Sequence, residues 1–516
     1  MSVPEIPEAF NAATAFVDRH LANGRSDRIA LCCGDETVTY ARLAENVNRT
    51  GNVLRQLGVR PEERVLLVVL DAPEFAYAFW GAIKIGAVPV PVNTALQTDE
   101  YDYLLNDSRA VVVVASAEAW PMVAPAAQRS HWLRQRLIVG TAQDATLSFT
   151  EVLRSAAPVL DAEMTHRDDP ALWLYSSGST GMPKGVVHLH RDLLYCAETY
   201  AREVLTISPQ DVTLAAPRLF FAYGLGGGLY FANYAGATAV LVPERPTPEG
   251  MFAAIARYRP TLFFGVPTLY AAMLQVKDAE QKYNLGSLRL CISAGEPLPA
   301  EIFLRWRERF GVEILDGIGS TEILHIFLSN RAGQVQPGSS GIPVSGYEMR
   351  IVDEHGQTVP TGEIGDLLVK GGSITTGYWH KLEATRRALQ GEWIQTGDKY
   401  YRDVDGIFWY CGRSDDMLKV SGQWVSPAEV EGVLFQHPAV LEAAVVGWED
   451  ENKLVKPKAF VVLKDGYVAS APLAQALQTF VRERILPHKY PRWVEFVADL
   501  PKTATGKIQR YKLRTS

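Results

Sequence analysis

Short apolar, β-branched runs recur through the first three hundred positions: VLLVV at 65–69, VVVVA at 111–115, LWLYSS at 172–177, TAVLV at 238–242 and LRLCIS at 288–293. Each is shorter than a helix and has no polar alternation, which predicts strands covered on both faces. Between them apolar residues return at helical spacing over 40–57, 75–85 and 300–310. Strand and helix in alternation predict an α/β fold of mostly parallel sheets with helices on their faces. Past residue 340 the runs shorten and turn signals multiply (DEHG, PTGE, GGS, DVDG), as in a β-rich subdomain. The last hundred residues differ again. A helix is expected over 426–436, where Pro427 suits the first turn and Glu429 and Glu431 favour the positive end. Two strands (AAVVGW, KAFVVL), a helix over 472–485 and a basic tail follow. The expected organisation is a large N-terminal domain over 1–411, a hinge at 412–416 and a small α+β domain over 417–516.

Residues 219–243 hold no charged side chain and are long enough to span a bilayer. They also contain Gly224, Gly226, Gly227, Gly228 and Gly236, which predict a loop, a short buried helix and a strand rather than a membrane span. At 516 residues the chain has room for two to four units of about 150 residues, and at 47% hydrophobic and 21% charged its composition is globular. A net charge of -7 offers no basic field for nucleic acid or an anionic membrane. Five scattered cysteines (Cys32, Cys33, Cys196, Cys291, Cys411) form no C-x-x-C and suit reduced thiols in a cytoplasmic protein. The first twenty residues place acids early and lack the basic stretch of a secretory signal. His188 and His190 alternate on a predicted strand without a nearby cysteine or acid, so no metal site is expected there.

The densest chemical signal is Tyr175-Ser-Ser-Gly-Ser-Thr-Gly-Met-Pro-Lys-Gly185, a strand running straight into a loop. Its glycines let backbone N–H groups close around phosphate oxygens, while the hydroxyls and Lys184 add donors and charge. It is not a Walker A loop, because Pro183 precedes the lysine and Gly185 follows it. Glu322, beside Ser320 and Thr321, offers hard oxygen to Mg2+. Asp398 follows a glycine in a tight turn, where a carboxylate can accept both ribose hydroxyls. Lys507, between Gly506 and Ile508, suits a reaction in which an anionic carboxylate meets an anionic phosphate, since its ammonium offsets charge on both.

Five segments in order resemble the motifs of the adenylate-forming enzymes, the superfamily of acyl-CoA synthetases, firefly luciferase and peptide-synthetase adenylation domains. They are the loop just described, Asp316-Gly-Ile-Gly-Ser-Thr-Glu322, Thr396-Gly-Asp398, Gly412-Arg-Ser-Asp-Asp-Met-Leu-Lys-Val-Ser-Gly422 and Pro501-Lys-Thr-Ala-Thr-Gly-Lys507. The resemblance spans essentially the whole chain. It implies ATP, Mg2+ and coenzyme A, with a carboxylate first joined to AMP and then passed to a thiol. Nucleotide contacts are implied for Ser176, Ser177, Gly178, Ser179, Thr180, Gly181 and Lys184, for Gly295, Glu296 and Pro297, for Asp316, Gly317, Ile318, Gly319, Ser320 and Thr321, and for Asp398, Arg413 and Lys507. Thr180 and Glu322 are the implied metal ligands and, with Lys507, the catalytic set. The C-terminal domain is implied to rotate about Asp415 between the two steps, bringing Lys419, Ser421 and Gly422 to the thiol tunnel. Because the lysine motif is an acetylation target in several acyl-CoA synthetases, a lysine acetyltransferase acting on Lys507 is an expected partner. Neither monomer nor homodimer is specified.

Phe220-Phe-Ala-Tyr-Gly-Leu-Gly226, DGIGSTEILHIFLSN over 316–330 and the tail LPKTATGKIQR are similar to the benzoate-CoA ligase branch of this superfamily. That similarity implies an aryl slot made by Ala222, Tyr223, Gly224, Gly319, His325 and Ile326, flat and apolar enough for a benzene ring. The chain departs from the branch at Ile323, where a Met is usual, and at Gly227, where an Asn is usual. Benzoate is the expected acid, with hydroxy-, amino- or halobenzoates, or transfer to a carrier protein, as alternatives.

Overall fold

The computed structural model describes residues 5–142, 146–176, 182–414, 416–420, 423–451, 454–486, 488–502 and 508–514. Of the residues singled out above, Ser177, Gly178, Ser179, Thr180, Gly181, Asp415, Ser421, Gly422 and Lys507, and the side chain of Lys419, lie outside the described residues.

Among the described residues two sheets are built around parallel strands, as the alternating pattern predicts. One runs Val88–Pro91, Arg64–Val68, Val112–Ser116, Gln135–Val139 and Leu147–Ser148, all parallel. The other has nine strands. Its six central ones, Ile314–Gly319, Leu290–Ser293, Leu262–Gly265, Val212–Ala215, Thr238–Val240 and Ile29–Cys33, are mutually parallel, and antiparallel strands finish both edges. Helices Tyr40–Gln56, Pro73–Lys84 and Ala300–Phe310 stand within a residue or two of their expected places. Thr39 caps the first of these by accepting from Arg42 N, which satisfies a donor the helix cannot.

Past residue 347 the strands Glu348–Val352, Gly365–Lys370, Leu389–Gln390, Trp393–Arg402 and Phe408–Arg413 make an antiparallel sheet. The closing segment has a hairpin, Val440–Glu449 with Val455–Leu463, joined in parallel by Trp493–Phe496. Helices Pro427–Leu434 and Ala471–Arg482 pack on it around their own core, which includes Val430, Leu434, Val445, Val461, Leu477 and Val481.

The uncharged glycine-rich segment has the expected order of turn, buried helix and strand, but its helix is longer than expected: after the turn at 219–221, Ala222–Leu225, Gly226–Tyr230 and Phe231–Ala235 run on as one helical rod with a π-helical turn in its middle, before the strand Thr238–Val240. Glycine costs a helix backbone entropy; here close packing demands it. A Cβ on Gly226 would lie 2.4 Å from His325 Cδ2, and one on Gly227 would lie 2.5 Å from Phe264. No helix of the described residues is long and apolar enough to cross a membrane.

One expectation is corrected: His188 and His190 do not share a strand face. His188 lies in the strand Lys184–Leu189, whereas His190 is the first residue of helix His190–Cys196 and accepts Ala12 N–H on Nδ1 at 3.1 Å. An acid is also nearby, since Asp192 Oδ2 lies 2.9 Å from His188 Nδ1. The described residues nonetheless hold no group of three or more His, Cys, Asp or Glu able to bind a metal.

Candidate active site

The phosphate-loop motif begins and ends on paired strands. Pro170–Ser176 runs antiparallel to Lys184–Leu189 with Ser176 opposite Lys184, so the two ends of the motif stand side by side on a strand pair. A third strand, Gly377–Tyr378, pairs with Lys184–Leu189 through Val186 and Val187. Side chains behind the strand pair hold it to helix Thr98–Ser108. Tyr103 donates to Pro183 O at 2.8 Å, Tyr175 donates to Asp107 Oδ2 at 2.8 Å, and Trp379 Nε1 donates to Asp107 O at 3.0 Å.

Glu322 sits on a 3-10 turn, Thr321–Ile323, that follows the strand Ile314–Gly319. Ser176 Oγ and Tyr378 OH donate to the same carboxylate oxygen, Oε1, at 3.1 and 3.0 Å. The turn is tied down through its backbone: His188 Nε2 lies 2.7 Å from Thr321 O, Thr375 N–H donates to Glu322 O at 2.8 Å, and Ser373 Oγ donates to Ile323 O at 2.8 Å. Leu324 then takes φ 70, a conformation rare for leucine, between Glu322 and His325. Lys184 does not meet Glu322; its ammonium lies over the Tyr378 ring, 4.1 Å from the centroid.

Asp398 and Arg413 face each other across antiparallel strands, with Arg413 Nη1 donating to Asp398 Oδ1 at 3.1 Å and to Thr396 O at 2.9 Å. Gly397 between them, at φ 76, makes room for that guanidinium: a Cβ there would stand 2.7 Å from Arg413 Nη2. Asp316 is buried at the end of the parallel sheet, takes Leu298 N–H on Oδ2 at 3.2 Å, and has no hydrogen-bond partner on Oδ1 among the described residues. Burial pushes its pKa up to about 7. Glu296, in the turn after strand Leu290–Ser293, accepts Ile508 N–H on Oε1 at 3.1 Å from 212 residues away. The base of the lysine-motif segment, where Lys502 bridges Ile508, therefore abuts the Gly295-Glu296-Pro297 turn.

The residues expected to form the aryl slot are built differently. His325 is buried among rings, with centroids 4.4 Å away for Phe231, 5.4 Å for Tyr200 and 5.8 Å for Tyr223. Its Nε2 lies 3.4 Å from Tyr223 O, and since a carbonyl only accepts, Nε2 carries the proton and Nδ1 the lone pair. Nδ1 is buried without a hydrogen-bond partner, and burial lowers the imidazole pKa to about 3, so the ring is neutral. The Tyr223 hydroxyl is committed to backbone, 2.9 Å from Ile292 O and 3.0 Å from Gly265 O. Gly319 lets the chain close over this cluster, for a Cβ on it would meet His325 O at 2.6 Å. Ala222, Gly224 and Ile326 are buried beside it on the glycine-rich rod and the strand Ile326–Ser329.

Residues 18–379 match the model of the AMP-binding enzyme family, and residues 429–507 match the AMP-binding enzyme C-terminal domain. The chain belongs to the AMP-binding enzymes. Among curated relatives it is 51% identical over 514 residues to a benzoate–CoA ligase of Thauera aromatica, covering 99% of this chain and 97% of that protein. It is 48% identical over 506 residues to a 4-hydroxybenzoate–CoA/benzoate–CoA ligase of Rhodopseudomonas palustris, covering 98% and 94%. Among solved structures, the anthranilate CoA ligase AuaEII in complex with anthranoyl-AMP superposes with a TM-score of 0.96 at 44% identity, covering 100% of this chain and 98% of that one. A benzoate CoA ligase from Burkholderia xenovorans superposes at 0.91 with 49% identity, covering 98% and 100%.

Seen as an AMP-binding enzyme, the chain brings Ser176, Lys184 and Glu322 together around a residue that motif reading passed over. Tyr378 follows Gly377 in a Gly-Tyr-Trp run whose only sequence cue is a short aromatic strand after GGSITT. The rings that cage His325, Tyr200 and Phe231, were equally silent, because on helices they look like ordinary core.

Proposed function

We propose that this AMP-binding enzyme activates an aromatic carboxylic acid, benzoate foremost, to its coenzyme A thioester, in the breakdown of aromatic compounds. The observation that carries the reading is the 51% identity, over nearly the whole length of both chains, with a benzoate–CoA ligase. The aryl-side chemistry supports it: neutral His325, the Tyr223 ring, Ala222, Ile326 and the glycines form a buried apolar cluster with no charge of its own, the kind of lining a benzene ring needs.

In the first step a carboxylate oxygen attacks the α-phosphorus of ATP, and pyrophosphate leaves with the electrons of the bridging bond. Asp316, with an open Oδ1, suits the exocyclic amine of adenine, and Asp398 with Arg413 suits the ribose. Ser176 to Gly181 and Lys184 receive the phosphates, and Lys507 offsets charge between the two approaching anions. Mg2+ fits the donors present: both hydroxyl contacts of Glu322 fall on Oε1, and Oε2, with no partner among the described residues, is a hard oxygen of the kind the ion takes. When held by Glu322 and Thr180 the ion would neutralise phosphate charge. In the second step the coenzyme A sulfur attacks the acyl carbon and AMP leaves. We assign residues 1–411 to the acyl- and nucleotide-binding domain, 412–416 to the hinge, with Asp415 as pivot, and 417–516 to a domain that turns between steps. Lys419, Ser421 and Gly422 then line the thiol path. Acetylation of Lys507 by a lysine acetyltransferase would remove its charge and stop the first step. The cytoplasm, which supplies ATP and coenzyme A, is the compartment this chemistry requires.

Aryl acids with a donor substituent are a second reading favoured by one observation, the unpartnered acceptor Nδ1 of His325. The experiment is AMP release with MgATP and coenzyme A across benzoate, hydroxy-, amino- and fluorobenzoates, cyclohexanecarboxylate and a medium-chain fatty acid. Benzoate leading by about tenfold or more supports the reading. A hydroxy- or aminobenzoate leading moves it to the second, and a leading fatty acid removes the aryl slot altogether.

A further inference from the structure

Lys184 and Glu322 carry opposite charges and share one aromatic neighbour, yet they form no ion pair. The Tyr378 ring face takes the Lys184 ammonium at 4.1 Å from its centroid, and the hydroxyl of the same ring donates to Glu322 Oε1 at 3.0 Å. The ring is itself fixed. Its strand pairs with Lys184–Leu189, placing Tyr378 opposite Val186, and Tyr378 N–H donates to Thr385 Oγ1 at 2.9 Å. Trp379 beside it is anchored to Asp107 O.

We propose that Tyr378 is a positioning residue that holds the Lys184 cation and the Glu322 carboxylate apart. An ammonium and a carboxylate left in reach of each other would pair and spend their charges mutually. With the phenol between them, a cation–π contact occupies one charge and a hydrogen bond occupies one oxygen of the other. The ammonium keeps its charge for phosphate, and Glu322 Oε2 stays free of partners among the described residues. The inference rests on the reading above, in which Lys184 faces phosphate and Glu322 faces Mg2+. Tyr378 touches neither substrate; it acts through the two side chains that do.

Two variants separate its two contacts. Tyr378→Phe keeps the ring face and loses the hydroxyl; Tyr378→Leu loses both. ATP binding is followed by titration calorimetry over a series of Mg2+ concentrations, with ATP–pyrophosphate exchange measured alongside and thermal unfolding as the check on folding. For the Phe variant the Mg2+ concentration giving half of the maximal ATP affinity rises about tenfold, in line with one hydrogen bond to a charged group. ATP binding without Mg2+ and the KM for benzoate stay within about twofold of the parent. The Leu variant adds a loss of Mg2+-free ATP affinity, because Lys184 collapses onto Glu322. A folded Phe variant with the parent's Mg2+ dependence overturns the inference. So does a Phe variant that loses ATP affinity equally with and without Mg2+. If the parent activates no aryl acid but the Mg2+ shift in ATP binding appears, the substrate reading falls and the role of Tyr378 stands.

Discussion

The two sides of the proposed site, nucleotide and aryl, hold their residues by different physics. On the nucleotide side, Ser176, Glu322, Tyr378, Asp398 and Arg413 are half-buried or exposed polar groups, apart from buried Asp398, and each is held by hydrogen bonds of 2.9–3.1 Å. On the aryl side the Tyr223 hydroxyl is tied to backbone at 2.9 and 3.0 Å, but His325 has one long contact of 3.4 Å, and ring packing and glycines of close approach hold the rest. A hydrogen bond can be removed singly, leaving its neighbours in place; a packed cluster of rings and glycines answers as a whole. The polar side is therefore expected to fail function by function, the aryl side by shape.

The sharpest break on the polar side is Lys507→Ala. Adenylate formation, read by pyrophosphate exchange, is expected to fall about a thousandfold, while coenzyme A attack on supplied benzoyl-adenylate stays near the parent rate. Equal loss of both half-reactions would end the idea that the lysine serves one step alone. On the aryl side Gly226→Ala puts a Cβ 2.4 Å from the His325 ring. Overpacking of this kind costs about 1–3 kcal/mol, so the KM for benzoate should rise at least tenfold and the melting temperature should drop, with the KM for ATP little changed. A variant with parental kinetics would show that the ring can yield.

Asp316 belongs to the polar side by chemistry and to the aryl side by burial, so it tests where the line falls. Its folded pKa is raised from an ordinary 3.8 to about 7 by burial. The stability this provides is complete below pH 3.8 and is lost as pH rises through about 7. Melting curves of the ligand-free parent and of Asp316→Asn, taken from pH 5 to 8, should diverge by roughly 1–3 kcal/mol, the parent losing ground as pH rises. Parallel curves would mean that Asp316 titrates as an ordinary exposed acid. The smallest effect is expected of Tyr223→Phe. The hydroxyl faces two backbone carbonyls and not the slot, so the ratio of benzoate to hydroxybenzoate turnover should stay within about twofold, with a stability loss near 1 kcal/mol. A large change in that ratio would put the phenol in the slot.

Much of the fold was legible because buried parallel strands write continuous apolar runs, and the runs at 65–69, 111–115 and 288–293 stand where the strands are. The polar motifs were legible for a related reason: phosphate chemistry needs clustered Gly, Ser, Thr and Lys, which has few other uses. The length of the glycine-rich rod was not legible. Its glycines oppose a helix locally and are accepted only because Phe264 and His325, distant in sequence, occupy the space a side chain would need. His190 opened a helix where alternation suggested a strand, since a single polar residue cannot say where one element ends. Tyr378 was silent because its importance comes from what lies at each end of the phenol, and neither end is near it in the sequence.

The strand pair that carries the phosphate loop has a further consequence for how the protein is made. Its outer partner, Gly377–Tyr378, pairs with Val186 and Val187. A ribosome adding 5–20 residues per second needs roughly 10–40 s to cover the roughly 190 positions between them. During that interval the strand pair has emerged with one strand edge open and Glu322, once synthesised, lacks its phenol donor. A nascent chain stalled short of residue 378 should therefore leave an unpaired β edge for chaperones or for another nascent chain of the same polysome.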